Sequence, residues 1–229
     1  MQTKNPLRNI CVGLSTAALV AACATSSPPR ESGFLHDYSR LREVPAPGGG
    51  TRQAYLNPKF TPAGYQAVWL DPVVYYPEPK PTADVSMQTL TQIRQAVDRS
   101  LREKFGQQVR LVDKAGPGVA HVRVAITAVG TETQALKAYQ YIPVALVMTG
   151  AKAALQGGMP RDATIAIETE VTDSVSGELL YAAVRGGTGE RVASANQDRG
   201  GIQPGSLRPL IDEWTTNATR EIRKYVQGK

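Results

Sequence analysis

The stretch ADVSMQTLTQIRQAVDRSLREKF, residues 83–105, decides the class of fold. Its apolar side chains recur every three or four residues and form one stripe, while most charged side chains lie elsewhere around the axis. Gly106 follows as a natural stop. The pattern predicts an amphipathic helix packed on a sheet, with its charges as a solvated face. The stripe comprises Leu90, Ile93, Val97, Leu101 and Phe105.

The residues that follow this helix alternate between apolar and polar, which is typical of β-strands. A short strand is predicted over residues 109–113 and a longer one over residues 120–131. One face of the longer strand is apolar throughout. Its other, less apolar face carries His121, Arg123 and Thr127.

Apolar and polar residues also alternate regularly over residues 164–172. The turn at residues 173–177 joins them to a predicted strand over residues 178–185. This pattern predicts a β-hairpin. The alternation points Glu168 and Glu170 outward, on an exposed strand face. The inward positions are Ile165, Ile167 and Val171.

Four further segments contribute to the predicted fold. Residues 65–76 are rich in β-formers but contain Pro72, which predicts two short strands. Residues 43–53 are rich in Pro and Gly and predict a flexible connector, and the glycines of residues 186–205 predict a mobile loop or an irregular edge strand. Ser206 is predicted to cap a last helix. The buried stripe of that helix comprises Leu207, Ile211, Trp214, Ala218, Ile222 and Tyr225.

This order of elements predicts an α+β fold in a single domain over residues 33–229. We expect a mostly antiparallel or mixed β-sheet with two long amphipathic helices packed on one face.

The first 22 residues have the three parts of a secretory leader. Lys4 and Arg8 supply the basic start, an apolar run follows, and small residues precede a cleavage point. The run over residues 10–22 is too short for a hydrocarbon core that needs roughly 20 residues. These residues therefore predict a leader that is removed.

The leader ends at Val20-Ala21-Ala22-Cys23, which resembles the lipobox of bacterial lipoproteins. The resemblance implies that Cys23 carries diacylglycerol and becomes the first residue of the mature chain. Ala24 stands where an Asp would resemble the inner-membrane retention signal, so the expected place is the outer membrane, with the domain facing the periplasm. Residues 23–32, rich in Ser, Pro and Thr, predict a lipidated flexible tether.

The tether leads into Ser-Gly-Phe-Leu-His-Asp-Tyr-Ser-Arg-Leu, residues 32–41. This phrase resembles the opening of the mature part of a family of bacterial lipoproteins known as domain of unknown function 3313. The resemblance covers nearly the whole mature chain and implies location and fold more than function.

Charge and cysteine content exclude some classes of function. The chain without its leader keeps 24 basic and 20 acidic residues, and it has no dense basic patch interleaved with aromatics, so we expect no nucleic-acid partner. Cys11 leaves with the leader and Cys23 carries lipid, so no disulfide is available to the mature chain. No set at metal-ligand spacing and no phosphate-binding glycine loop is present, so neither metal nor cofactor is predicted.

Candidate catalytic residues have simpler structural interpretations. His36 and Asp37 are neighbours that rarely face each other, which favours packing or capping. Glu168 and Glu170 could form the carboxylate pair of a glycoside hydrolase, but two Glu on one exposed strand face are common. His121 is interpreted as a surface residue.

The sequence therefore favours a non-catalytic envelope lipoprotein that binds other envelope components, with a protein partner of unknown identity and the membrane bound through lipid on Cys23. Two alternatives stay open. A subunit of a self-assembling envelope or secretion complex would use the apolar residues 139–155. A periplasmic hydrolase acting on glycan or lipid would bring Asp71, His121 and Glu168 into one pocket.

Overall fold

A computed structural model describes residues 31–132, 161–192 and 201–229. Eight strands in these residues form one mixed sheet, in the order β1-β2-β8-β7-β6-β3-β5, with β4 also paired to β6. Their bounds are β1 Arg42–Pro45, β2 Thr51–Leu56, β3 Ala67–Leu70, β4 Val74–Tyr75, β5 Leu111–Val112, β6 Val119–Glu132, β7 Arg161–Asp173 and β8 Leu179–Val192.

The centre of the sheet is an antiparallel meander of the three longest strands, β6, β7 and β8. β3 and β4 run parallel to β6, and β3 also runs parallel to β5. The predicted class, an α+β fold on a mixed sheet, is confirmed. The predicted hairpin of β7 and β8 and the break of residues 65–76 into two short strands around Pro72 are also present.

Two helices pack on one face of the sheet, which we call the helix face. Helix α1 spans Met87–Gln108, and Ser86 caps it by accepting a hydrogen bond from the backbone N–H of Thr89. Helix α2 spans Arg208–Tyr225 and follows a short 3-10 helix over Pro204–Leu207. Ser206 lies inside that 3-10 helix, so its predicted role as the cap of the last helix is wrong.

The description of two long amphipathic helices is not confirmed. Only α1 exceeds twenty residues, and its predicted stripe is buried. The shorter α2 has three polar residues among its buried side chains, Thr215, Asn217 and Thr219. The hydroxyls of the two threonines donate to backbone carbonyls one turn earlier, Thr215 to Ile211 and Thr219 to Thr215. These bonds satisfy the hydroxyls where they are buried.

The segment predicted as a flexible connector is instead the β1–β2 hairpin. Ala46 and Gly50 close the turn by a backbone hydrogen bond, and Gly48, Gly49 and Gly50 all have positive φ. Glycine permits this backbone without steric cost. β2 then pairs with β8, so these residues extend the sheet.

The glycine-rich segment predicted as a mobile loop or an irregular edge strand continues β8 as far as Val192, which agrees with the strand alternative; residues 193–200 lie outside the described part. Its glycines serve close packing against the C-terminal elements. A Cβ on Gly189 would lie 2.5 Å from the carbonyl oxygen of Ser206, and one on Gly187 would overlap the ring of Trp214. Sequence alone does not separate this use of glycine from a mobile loop.

No helix within residues 31–132, 161–192 and 201–229 is long and apolar enough to cross a membrane. The leader, the lipobox with Cys23 and the apolar residues 139–155 lie outside the described residues. The predictions made on them therefore stay predictions.

Candidate functional site

Residues 32–41, which we call the strap, lie across the face of the sheet opposite the helices. Phe34, Leu35 and Leu41 are buried there. The floor beneath them consists of small side chains, which let the strap backbone approach the strands. These floor residues are Ala125, Ala128, Ala166, Ala182 and Val184.

The strap is anchored at one end by Tyr38. Its hydroxyl donates a hydrogen bond of 2.6 Å to Oε2 of Glu168, whose side chain is fully buried. The hydroxyl oxygen of Tyr38 also accepts hydrogen bonds from the backbone N–H groups of Gly33 at 3.0 Å and Leu35 at 3.2 Å. Burial, followed by the bond to Glu168, raises the pKa of Tyr38. One phenol thus folds the strap into a turn and fixes it to β7.

Glu170 is the second anchor, with 1% of its residue surface exposed. It accepts the backbone N–H of His36 at 3.0 Å and lies 2.8 Å from Nδ1 of the same residue. Nη1 of Arg123 donates to it at 2.8 Å, and the guanidinium also lies over the ring of Phe34. The prediction that Glu168 and Glu170 are exposed is wrong, because the strap covers their face of the sheet.

His36 and Asp37, the neighbours considered as candidate catalytic residues, make separate structural contacts. Asp37 Oδ1 accepts the hydroxyl of Ser39 at 2.6 Å and its backbone N–H at 2.9 Å, and these bonds lower the pKa of Asp37. His36 points instead to Glu170. The two side chains therefore act on different partners, in line with the packing or capping interpretation.

Asp71 and His121 do lie together, but Glu168 is separate from them. Nε2 of His121 is 3.0 Å from Oδ2 of Asp71, an ion-pair distance without hydrogen-bond geometry. The ring of Trp69 stacks on His121 with centroids 3.9 Å apart, so the histidine, predicted as a surface residue, is partly shielded. Glu168 pairs across the sheet with Ala125, four residues and roughly 13 Å along β6 from His121. Within the described residues no group of three or more His, Cys, Asp or Glu could hold a metal ion.

The helix face contains the other candidate site, a cavity of about 330 Å³ between the sheet and the helices. Its floor crosses β2, β8, β7 and β6, three strand spacings or roughly 14 Å. Most of its lining is apolar. The deep end includes Val97, Leu101 and Phe105 of α1 with Val122 and Val124 of β6, and the outer end includes Val44, Pro47 and Leu56.

Two arginines lie side by side in this cavity. Gln53 pairs with Val184 between β2 and β8, so the next antiparallel pair is Arg52 with Arg185. The Arg185 guanidinium lies 4.6 Å from the ring centre of Trp214, and that of Arg52 lies 5.7 Å from the ring centre of Tyr181. Burial, with the Arg52 charge also contributing, lowers the pKa of Arg185.

Two donors in the cavity lining have no acceptor among the described residues. They are Nε of Arg52 and Nε1 of Trp214, and only 7% of the Trp214 surface is exposed. A buried N–H without an acceptor costs roughly 1–3 kcal/mol, so such groups call for an explanation. The arrangement can accept a molecule with an apolar body and hydrogen-bond acceptors.

Sequence reasoning missed this site. Arg52 falls within residues 43–53, the segment predicted as a connector. Arg185 is a polar residue at the end of an otherwise apolar predicted strand. The only local signal is the arginine that directly follows Tyr-Ala-Ala-Val, and it does not reveal a partner on another strand.

Comparison with known proteins places the chain in a family. A family model described as a protein of unknown function, DUF3313, matches residues 30–218. An uncharacterized lipoprotein of Escherichia coli K12, YdcL, is 31% identical over 202 residues, covering 87% of this chain and 89% of that protein. This finding confirms the resemblance that residues 32–41 indicated.

Among solved structures, a PelC dodecamer from Paraburkholderia phytofirmans is similar at 14% identity with a TM-score of 0.35, covering 73% of this chain and 98% of that one. The hypothetical protein CT253 from Chlamydia trachomatis is similar at 13% identity with a TM-score of 0.41, covering 71% and 98%. The family assignment depends on the sequence matches alone, which extend along most of the chain. This chain belongs to the DUF3313 family of proteins of unknown function.

Proposed function

We propose that this protein is a non-catalytic, lipid-anchored binding protein whose ligand site is the cavity on the helix face. The anchor is the lipid on Cys23, and the domain faces the periplasm from the outer membrane. The name of the Escherichia coli relative, a lipoprotein, supports the anchor. The outer-membrane placement depends on Ala24 following the lipobox.

The observation that carries this proposal is the cavity itself. Its volume of about 330 Å³ lies at the lower end of the range of roughly 300–1,000 Å³ typical of small-molecule sites. Such sites combine an apolar lining with a few polar groups that fix orientation. Here the guanidiniums of Arg52 and Arg185 supply those groups.

The energetics favour a ligand with an aliphatic part. Each methylene that leaves water for an apolar lining contributes about 0.8 kcal/mol, so a short chain supplies several kcal/mol. A ligand that binds only the folded state also stabilises it by mass action. Binding and stability of the domain are therefore coupled.

The hydrolase alternative finds less support in the geometry. Glu168 is held by Tyr38 beneath the strap, on the opposite side of the sheet from the cavity. His121 lies beside Asp71 and stacks on Trp69, away from Glu168. The self-assembly alternative depends on residues 139–155, which lie outside the described part of the chain.

Filling the cavity tests the proposal. The full lipoprotein is extracted from its membranes into polymer-bounded discs without detergent, and molecules that copurify are compared by mass spectrometry. Ala218→Phe places a ring in the cavity from α2. Ala115→Phe, the same change at an exposed position, is the matched control.

We expect a small amphiphile that copurifies with the wild type and Ala115→Phe and is depleted at least tenfold in Ala218→Phe. A set of copurifying molecules identical in all three samples, from a variant that stays folded by circular dichroism, would contradict a binding role for the cavity.

The anchor is tested separately by metabolic labelling with a palmitate analogue. We expect labelling of the wild type and none of Cys23→Ser, because the thiol is the proposed attachment atom. Equal labelling of both would show that the lipobox interpretation is wrong.

A further inference from the structure

The two ends of the cavity differ in exposure and chemistry. At the deep end, beneath α1, Val97, Val122 and Val124 are buried and apolar. At the outer end, beside the turn of the β1–β2 hairpin, Val44 and Pro47 are only partly buried, and this end is therefore where a ligand enters. Arg52 and Arg185 lie on the strands next to that entrance. A bound molecule would thus have its apolar part inside and a polar end between the arginines.

Two cations directly opposite each other on antiparallel strands repel. Burial strengthens the repulsion because the surrounding dielectric is low. The pKa of Arg185 is lowered mainly by desolvation; the Glu213 carboxylate opposes this lowering, and the Arg52 charge adds to it. An anion placed between the guanidiniums would reverse this repulsion, and guanidiniums bind carboxylate and phosphate with paired hydrogen bonds.

One nearby carboxylate, Glu213, forms a long and partly exposed ion pair with Arg185, and the other, Glu221, is paired elsewhere. Oε1 of Glu213 lies 3.6 Å from Arg185, beyond a good hydrogen-bond distance, and its side chain is 45% exposed. Glu221 lines the cavity but its carboxylate is 2.7 Å from Nζ of Lys224. Nε of Arg52 has no acceptor among the described residues.

From these observations we infer that the cavity binds an anionic amphiphile, a single aliphatic chain that ends in a carboxylate or a phosphate. The chain lies over β8, β7 and β6 towards α1, and the anion lies between Arg52 and Arg185. This inference rests on the proposed function and deepens it, because it names the class of ligand and its orientation.

The test uses photoreactive twelve-carbon probes that differ only in their end group. The full lipidated chain, in nanodiscs of zwitterionic lipid, is irradiated with a diazirine analogue of dodecanoate, dodecyl phosphate, dodecanol or dodecylamine. Labelled peptides are mapped by mass spectrometry, so probe dissolved in the bilayer does not confuse the result. We expect labelling of α2 or of cavity residues on β6–β8 by an anionic probe, at least tenfold above the alcohol and the amine.

The two anionic probes separate the possible sources of the ligand. Preference for dodecanoate indicates a fatty carboxylate, and preference for dodecyl phosphate indicates a phosphorylated lipid; both results support an anion site. Equal cavity labelling by alcohol and anion would overturn the anionic assignment and leave the proposed function in place. Absence of cavity labelling by every probe would overturn both.

Charge-removing variants locate the anion. We expect Arg52→Gln and Arg185→Gln each to lower anionic labelling about tenfold and to leave dodecanol labelling unchanged. Arg110→Gln, which removes an exposed charge near the far edge of the sheet, is expected to change neither. Because removal of Arg52 also relieves repulsion, its melting temperature without added probe should not fall. A lower melting temperature with unchanged anionic labelling would show that Arg52 is structural and overturn the inference.

Discussion

The two faces of the sheet differ in how their buried charged groups are paired. On the strap face, Glu168 and Glu170 are buried beneath a segment that supplies donors from its own backbone and from Tyr38 and His36. On the helix face, Arg52 and Trp214 keep buried N–H groups without acceptors among the described residues. The chain itself supplies partners for the two carboxylates, whereas the donors without acceptors at the cavity are the basis of the proposed ligand.

The most damaging change should remove a partner of a buried carboxylate on the strap face. Arg123→Met leaves Glu170 with His36 alone, and we expect a loss of about 2–4 kcal/mol in the free energy of unfolding measured with urea. Arg99→Met, on the exposed side of α1, is the control and should change it by less than about 0.5 kcal/mol. A neutral Arg123→Met would mean that the strap face does not depend on its ion pair.

Adjacent alanines on β8 sharpen the difference in packing between the faces. Ala182 is fully buried under the strap, and Ala183 faces the cavity. Ala182→Val should cost about 1–3 kcal/mol of unfolding free energy, because the added methyls have no space. Ala183→Val has space and should cost nothing or stabilise by up to about 1 kcal/mol. Equal losses in the two variants would contradict the cavity.

Removal of a single hydroxyl tests how the strap is anchored. Tyr38→Phe leaves Glu168 without its 2.6 Å donor and two strap N–H groups without their acceptor, so we expect a loss of about 1–2 kcal/mol in urea unfolding. The matched change Tyr55→Phe removes only a 3.5 Å contact with Arg40 and should stay within about 0.5 kcal/mol. If both variants unfold alike, Tyr38 does not anchor the strap.

The smallest effect is expected at alkaline pH. Burial raises the pKa of Tyr181, in the cavity, to about 12. A raised tyrosine pKa contributes stability that is present below pH 10, the ordinary value, and is lost as pH rises through 12. Wild type should therefore lose about 1 kcal/mol more than Tyr181→Phe between pH 9 and pH 10.5 in urea unfolding. Parallel losses in the two proteins would show that Tyr181 ionises as freely as an exposed phenol.

The stripe from Leu90 to Phe105 and the hairpin at Asp173 to Gly177 were predictable because their patterns are local. A helix needs apolar residues at a spacing of three or four, and a strand needs alternation, and both can be counted along the chain. The resemblance of residues 20–23 to a lipobox is equally local, since it depends on four consecutive residues. These signals gave the class of fold and the expected anchor.

What lies across the sheet could not be predicted in this way. Glu168 and Glu170 alternate as exposed residues do, and only a strap more than a hundred residues earlier in the chain makes them buried. Arg52 and Arg185 become neighbours through strand pairing over a similar separation. The sequence by itself determined the periodic elements, because hydrogen bonding and burial repeat within each segment. The tertiary structure alone decided which charges are satisfied and where the cavity lies, because both depend on contacts between segments that no local pattern encodes.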